Sequence, residues 1–245
     1  MKLEDLKIAI YADGADISGM AEMHRKGFIK GFTTNPTLMK KAGVTDYMKF
    51  VQNVLSEIPD LPISFEVFAD DFEMMEKEAV VLSGYGKNVF VKIPITNSKG
   101  EPSIPLISAL SKKGVNLNVT AVFTVGQAKA VLDVLEDGTE NIISVFAGRI
   151  ADAGVDPEVI IGQVAKLCRQ KEGTMCLWAS CREVFNIIQA ERCGADIITV
   201  TNDLLAKLGN VGKDLKQFSL ETVRMFERDG RSIGFYINDL AIENA

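Results

Sequence analysis

Short β-branched or aromatic runs alternate with longer amphipathic stretches along the whole chain, and this alternation restricts the fold to parallel strands joined by crossover helices. Eight candidate strands follow: 7–12, 30–33, 62–67, 89–95, 115–120, 142–146, 175–179 and 196–200. The second is the weakest, four residues with little apolar content. Helical periodicity covers 16–28, 43–57, 70–84, 124–134, 157–171 and 181–193, with further helices after 202. Asp16 and Asp156 read as N-caps, Pro157 as a first helical residue and Gly194 as a stop before the last strand.

A length of 245 residues suits one large barrel or two small domains equally. No Ser/Gly- or Pro-rich linker divides the chain, so a single domain over 1–245 is expected, with C-terminal helices from about 214. Eight β/α units in this length fit a closed parallel (β/α)8 TIM barrel better than a doubly wound sheet. No GxGxxG follows the first strand, as a dinucleotide-binding sheet would require. Gly209 to Lys213 lacks the spacing and the Ser/Thr of a phosphate-binding loop.

Composition narrows the chemistry. A net charge of -6 argues against a nucleic-acid or anionic-membrane partner, so anionic substrates must be met by local cations. The apolar part of the N-terminus is cut short by Asp13 and Asp16, too early for a signal peptide or a membrane span, and a cytoplasmic location is expected. Cys168, Cys176, Cys181 and Cys193 form no CxxC pair and read as reduced, mostly core thiols. The single histidine, His24, excludes HExxH and multi-histidine metal sites and leaves little room for a Ser-His-Asp relay; no metal or other cofactor is expected. Lysine and carboxylates must then carry any proton transfers.

In a barrel, strand C-termini converge on one mouth, where catalysis is built. Here those ends carry Asp13, Thr33-Thr34-Asn35, Glu66, Lys92, Asn118 with Thr120, Ser144 followed by Arg149, and Ser180 followed by Arg182. Lys92 interrupts an otherwise apolar strand, where an unpaired ammonium is costly. A lone strand lysine is ordinarily salt-bridged or snorkelling. The company at the other strand ends favours a different role, because a lysine in a dry pocket is pushed toward the neutral amine that attacks ketones. Asp13 and Glu66 are available to move protons, and Arg149, Ser180 and Arg182 make a candidate phosphate clamp.

Taken together these motifs resemble the transaldolase family along nearly the whole chain. YADGAD (11–16), TTNPTL (33–38), FVKIPIT (90–96), NVTAVFT (118–124), SVFAGRI (144–150) and WASCRE (178–183) each match a family motif. The resemblance implies that Lys92 forms a Schiff base with a ketose phosphate and that Asp13 is the acid/base. Glu66 and Thr120 would hold an assisting water. Thr34, Asn35, Asn118, Ser144 and Phe146 would contact the sugar, and Arg149, Ser180 and Arg182 its phosphate. It further implies transfer of a dihydroxyacetone unit from a phosphorylated ketose to a phosphorylated aldose.

The compact branch of this family also contains fructose-6-phosphate aldolase, which releases free dihydroxyacetone. Those aldolases resemble one another in having Gln at the position of Glu66, Tyr at that of Phe146 and no asparagine at that of Asn118. All three residues here resemble transaldolase. A catalytically silent sugar-phosphate-binding barrel is the alternative from another class, but it would have no need of nucleophile, carboxylates and clamp together. Two stretches depart from the pattern, Gly14-Ala15 and the Pro- and Gly-containing SKGEPSIPL (98–106). The segment 218–235 resembles the tail through which compact relatives embrace neighbours, which points to a homo-oligomer.

Overall fold

The computed structural model describes residues 6–234. Eight strands close into one all-parallel barrel in chain order: β1 (Ala9–Asp13), β2 (Gly31–Thr33), β3 (Ile63–Glu66), β4 (Val89–Pro94), β5 (Leu117–Val122), β6 (Asn141–Val145), β7 (Thr174–Trp178) and β8 (Ile197–Thr201). The fold is the expected single (β/α)8 barrel. No strand boundary differs from the sequence reading by more than two residues.

The helices around it are α1 (Ile17–Arg25), α2 (Pro36–Lys41), α3 (Tyr47–Glu57), α4 (Phe72–Ser83), α5 (Ile104–Lys112), α6 (Val125–Leu132), α7 (Ala147–Asp152), α8 (Pro157–Cys168), α9 (Phe185–Cys193), α10 (Asn202–Leu205) and α11 (Leu215–Ile233). Side-chain oxygens cap most of the longer ones: Asp16 accepts from Gly19 N, Asp46 from Lys49 N, Asp71 from Met74 N and Asp156 from Glu158 N.

Three helices were not read from periodicity. Of these, α2 and α7 are six-residue turns too short to show a period, and α5 lies behind Pro102 and Ser103, within and beyond the 98–106 stretch. The expected helix over 181–193 begins only at Phe185. Asn186 Oδ1 accepts the backbone N–H groups of Arg182 and Glu183 and holds that segment as a loop.

Strand alternation sorts the side chains into two cores. Outward-facing residues such as Phe32, Phe65, Val91, Val119, Val145 and Trp178 pack against the helices in one large cluster. Inward-facing Tyr11, Phe90, Ile142, Leu177 and Ile197 form a separate cluster that fills the lower barrel. The Tyr11 ring occupies space that Gly31 on the neighbouring strand leaves open, since a Cβ there would lie 2.4 Å from the ring. Two residues further along β1, β4, β6 and β8 the inward side chains are polar, as Asp13, Lys92, Ser144 and Thr199. The apolar floor thus raises the functional groups to the C-terminal mouth.

His24 lies on α1 and pairs with Asp60 at 2.8 Å. All four cysteines are free thiols, Cys168 and Cys176 buried and the other two partly so. Among the described residues no helix is long and apolar enough to cross a membrane. Helix α11 contributes no buried residue, and it exposes Leu220, Val223, Met225 and Phe226.

Candidate active site

Lys92 is the only buried lysine among the described residues, 6 % exposed in the middle of β4. Register places it beside Glu66 of β3 on one side and Asn118 of β5 on the other. Its Nζ lies 2.9 Å from Glu66 Oε2 and donates to the Thr34 carbonyl at 2.7 Å. Two of its three donors are satisfied in this way, which makes an interior ammonium tolerable. The side chain is therefore both things the sequence left open, buried and salt-bridged. Glu66 is held in turn through its backbone, since Tyr47 Oη donates to the Glu66 carbonyl at 2.8 Å. Burial, with the Glu66 charge adding to it, pushes the Tyr47 phenol far above the usual tyrosine range.

Asp13 ends β1, where Thr33 of β2 donates to its Oδ1 at 2.8 Å. Burial raises the Asp13 carboxyl above the ordinary carboxylate range; Lys92, Thr33 and Asn35 oppose the shift, and Glu66 adds to it. A carboxylate so placed is a better base than one in water, and it accepts a proton more readily at neutral pH.

A second polar chain runs through the interior from β6 by way of β5 to β3. Ser144 Oγ donates to Asn118 Oδ1 at 2.6 Å, and Asn118 Nδ2 donates to Ser64 Oγ at 2.9 Å. These contacts fix the amide orientation. They also leave Asn118 with one N–H, and Ser144 with only lone pairs, for anything entering the mouth. Thr120, also on β5, is 3 % exposed.

Thr34 is fully buried and its Oγ1 donates to the Ser64 carbonyl at 2.9 Å. Asn35 caps α2, its Oδ1 accepting from Leu38 N at 2.9 Å. Phe146 precedes α7 and stacks at a tilt on Phe123, with centroids 5.9 Å apart.

The three clamp candidates follow β6 and β7. Arg149 is exposed on α7, and Arg182 is exposed and paired with Asp152. A surface pair of this kind is worth little, so an anion competes for Arg182 at small cost. Ser180 adopts φ 64°, a left-handed conformation unusual for a residue with a side chain. Gly148 packs against that strained peptide so closely that a Cβ would fall 1.7 Å from the Ser180 carbonyl. Only glycine lets the start of α7 meet the end of β7 there.

Residues 97–103 form a tight turn before α5, which begins inside the 98–106 stretch at Ile104. Ser98 donates to Asp70 from both N and Oγ, at 2.7 and 2.6 Å, and Asn97 Oδ1 accepts from the N–H groups of Lys99 and Glu101.

Three residues of this network escaped the sequence reading of the site, Ser64, Thr199 and Tyr47, while Thr33 was named there as a strand-end residue without a role. Ser64 and Thr199 share one signal, an inward position two residues before a polar strand end. Tyr47 gave none, because it reaches the site from a helix.

The sequence model described as Transaldolase/Fructose-6-phosphate aldolase matches residues 10–243. The chain belongs to this family. Among similar proteins, a probable transaldolase of Dehalococcoides mccartyi is 34% identical over 200 residues, covering 81% of this chain and 89% of the relative. One from Methanococcus maripaludis is 35% identical over 201 residues, covering 82% of this chain and 89% of the relative. A third, from Thermoanaerobacter, is 33% identical over 228 residues, with 93% and 99% coverage. The matched span takes in every strand end in the transaldolase/fructose-6-phosphate aldolase barrel except the start of β1.

The raised Asp13 gives a pH-dependent stability with a definite sign. A carboxyl whose folded value lies above its unfolded one binds more protons when folded, so stability falls as pH rises through that interval. Above that interval the native protein bears the whole penalty. Asp13→Asn is therefore expected to unfold at an equal or higher temperature than the native protein at pH 7, with the difference shrinking as pH is lowered below the usual aspartate range. Calorimetry across pH checks this, and a variant markedly less stable at pH 7 contradicts it.

Proposed function

We propose that the protein is a transaldolase that moves a dihydroxyacetone unit from a ketose phosphate, fructose 6-phosphate or sedoheptulose 7-phosphate, to an aldose phosphate, erythrose 4-phosphate or glyceraldehyde 3-phosphate. The observation that carries the reading is Lys92 Nζ buried at the barrel mouth, 2.9 Å from Glu66. Glu66 is the immediate acceptor for the ammonium proton. The freed amine adds to the ketose C2 carbonyl, and the resulting carbinolamine loses water to give an iminium. Glu66 and Thr120 hold the water that shuttles protons in that step.

Asp13 then removes the proton from the C4 hydroxyl. The C3–C4 bond breaks, its electrons flow into the iminium, and an aldose phosphate leaves behind an enamine on Lys92. The acceptor aldehyde reverses the sequence. The remaining amide proton of Asn118 and the lone pairs of Ser144 suit the hydroxyls of the three-carbon unit, with Thr34 and Asn35 beside them. Arg149, Ser180 and Arg182 take the phosphate, where two guanidiniums offer forked donors. Phe146 puts an apolar ring at the rim of that pocket, which favours retention of the enamine for an aldehyde over its hydrolysis.

Assembly belongs to the same reading. The exposed apolar residues of α11 find no core among the described residues, and copies associating through this helix would cover them.

Four outcomes are expected. Borohydride added with fructose 6-phosphate reduces the iminium and leaves a sugar adduct on the Lys92 peptide, read by mass spectrometry. Lys92→Met yields no adduct and no turnover while circular dichroism is unchanged. Absence of an adduct in the native protein would instead favour a binding-only barrel. Turnover of fructose 6-phosphate requires an added aldose phosphate, measured by release of glyceraldehyde 3-phosphate; equal rates without acceptor, with free dihydroxyacetone appearing, assign the aldolase reaction. Finally, Val223→Asp with Phe226→Asp lowers the sedimentation coefficient of the assembly without loss of helix content.

A further inference from the structure

Thr33 Oγ1 is 2.8 Å from Asp13 Oδ1 and also within hydrogen-bond distance of Thr199 Oγ1. Both threonines are buried, 3 % and 5 % exposed, and they come from β2 and β8, the strands on either side of β1. In an eight-stranded barrel, alternate strands contribute side chains to the same interior layer, which is how these two hydroxyls meet beneath the end of β1.

Proton counting gives the contact a direction. An ionised Asp13 can only accept, so the single proton of Thr33 goes to Oδ1. Thr33 then has lone pairs alone to offer Thr199, and Thr199 must be the donor. We propose that Thr199 and Thr33 form a one-way hydroxyl relay that positions Asp13 by holding Oδ1, with Thr199 a positioning residue that acts only through Thr33.

This inference rests on Asp13 as the base of the proposed reaction. A polarised donor chain strengthens the terminal hydrogen bond, and so favours the carboxylate against the burial that opposes it. The charged groups facing Asp13 are Lys92 of β4 and Glu66 of β3; β2 and β8 present hydroxyls, and the Asn35 amide adjoins from the start of α2. Removing the relay therefore leaves the charges in place and changes only the hydrogen bonding.

The test is a 13C NMR titration of the aspartate carboxyl carbons in the full-length protein, together with the pH profile of kcat/KM. Thr33→Val is expected to raise the Asp13 midpoint by about one pH unit and Thr199→Val by about half a unit, with the acidic limb of kcat/KM moving by the same amount. Thr199→Ser restores native values, which a purely packing role would not. Thr199→Ala serves as the second probe should the valine variant fold poorly. Borohydride trapping on Lys92 remains intact in all of them, because imine formation precedes the Asp13 step. An Asp13 midpoint unmoved in Thr199→Val and Thr199→Ala, or a serine variant that behaves like valine, overturns the relay while leaving the Schiff-base reading standing. A native protein without the Lys92 adduct overturns both.

Discussion

The arrangement depends on one charge held where charge is expensive. Lys92 sits in the middle of a strand whose other side chains are apolar, inside a closed sheet, and an ammonium there is stable only if its donors are met. Glu66 meets one and the Thr34 carbonyl another. Each partner is itself held, Glu66 by Tyr47 through its backbone and Thr34 by the Ser64 carbonyl. The polar mouth is thus a set of mutual obligations centred on one nitrogen, and the apolar plug of Tyr11, Phe90, Ile142, Leu177 and Ile197 below it sets its height in the barrel.

Two side-chain chains run through the interior, and they differ in kind. Thr199, Thr33 and Asp13 run through hydroxyls to a carboxyl, so their terminus can gain or lose a proton. Ser144, Asn118 and Ser64 run through an amide, which fixes orientation but does not titrate. One chain therefore ends in a titratable group, and the other contains none. Family membership fits such a division, since a carbon–carbon bond can be cleaved cleanly only when one fragment is held and the other is deprotonated.

Positive φ outside glycine is confined to the β5 to β7 side of the barrel among the described residues. Ser180 and Ala121 are the non-glycine residues with positive φ among those described, one after β7 and the other at the register shift near the end of β5. Gly148 complements the first of these by letting α7 approach without a side chain in the way. The rim opposite is stiffened differently, by Asp70 gripping Ser98 across the β3 and β4 loops.

The sequence by itself determined the barrel and most of its mouth. A two-residue period in each strand reports which side chains share a face, and the capping residues mark where helices start, so Asp13, Glu66, Lys92, Asn118 and Ser144 could be assigned to strand ends from spacing alone. Local period, however, carries no information about which residues meet across a closed sheet. That Thr199 reaches Thr33 past β1, that Tyr47 reaches Glu66 from a helix and that Arg182 is tied to Asp152 were decided only by the tertiary structure. The short helices α2 and α7 were likewise invisible, because fewer than two turns leave no repeat to read. Strand positions follow from alternation within a few residues, whereas hydrogen-bond partners follow from barrel closure, which brings together groups as far apart in the chain as Thr33 and Thr199.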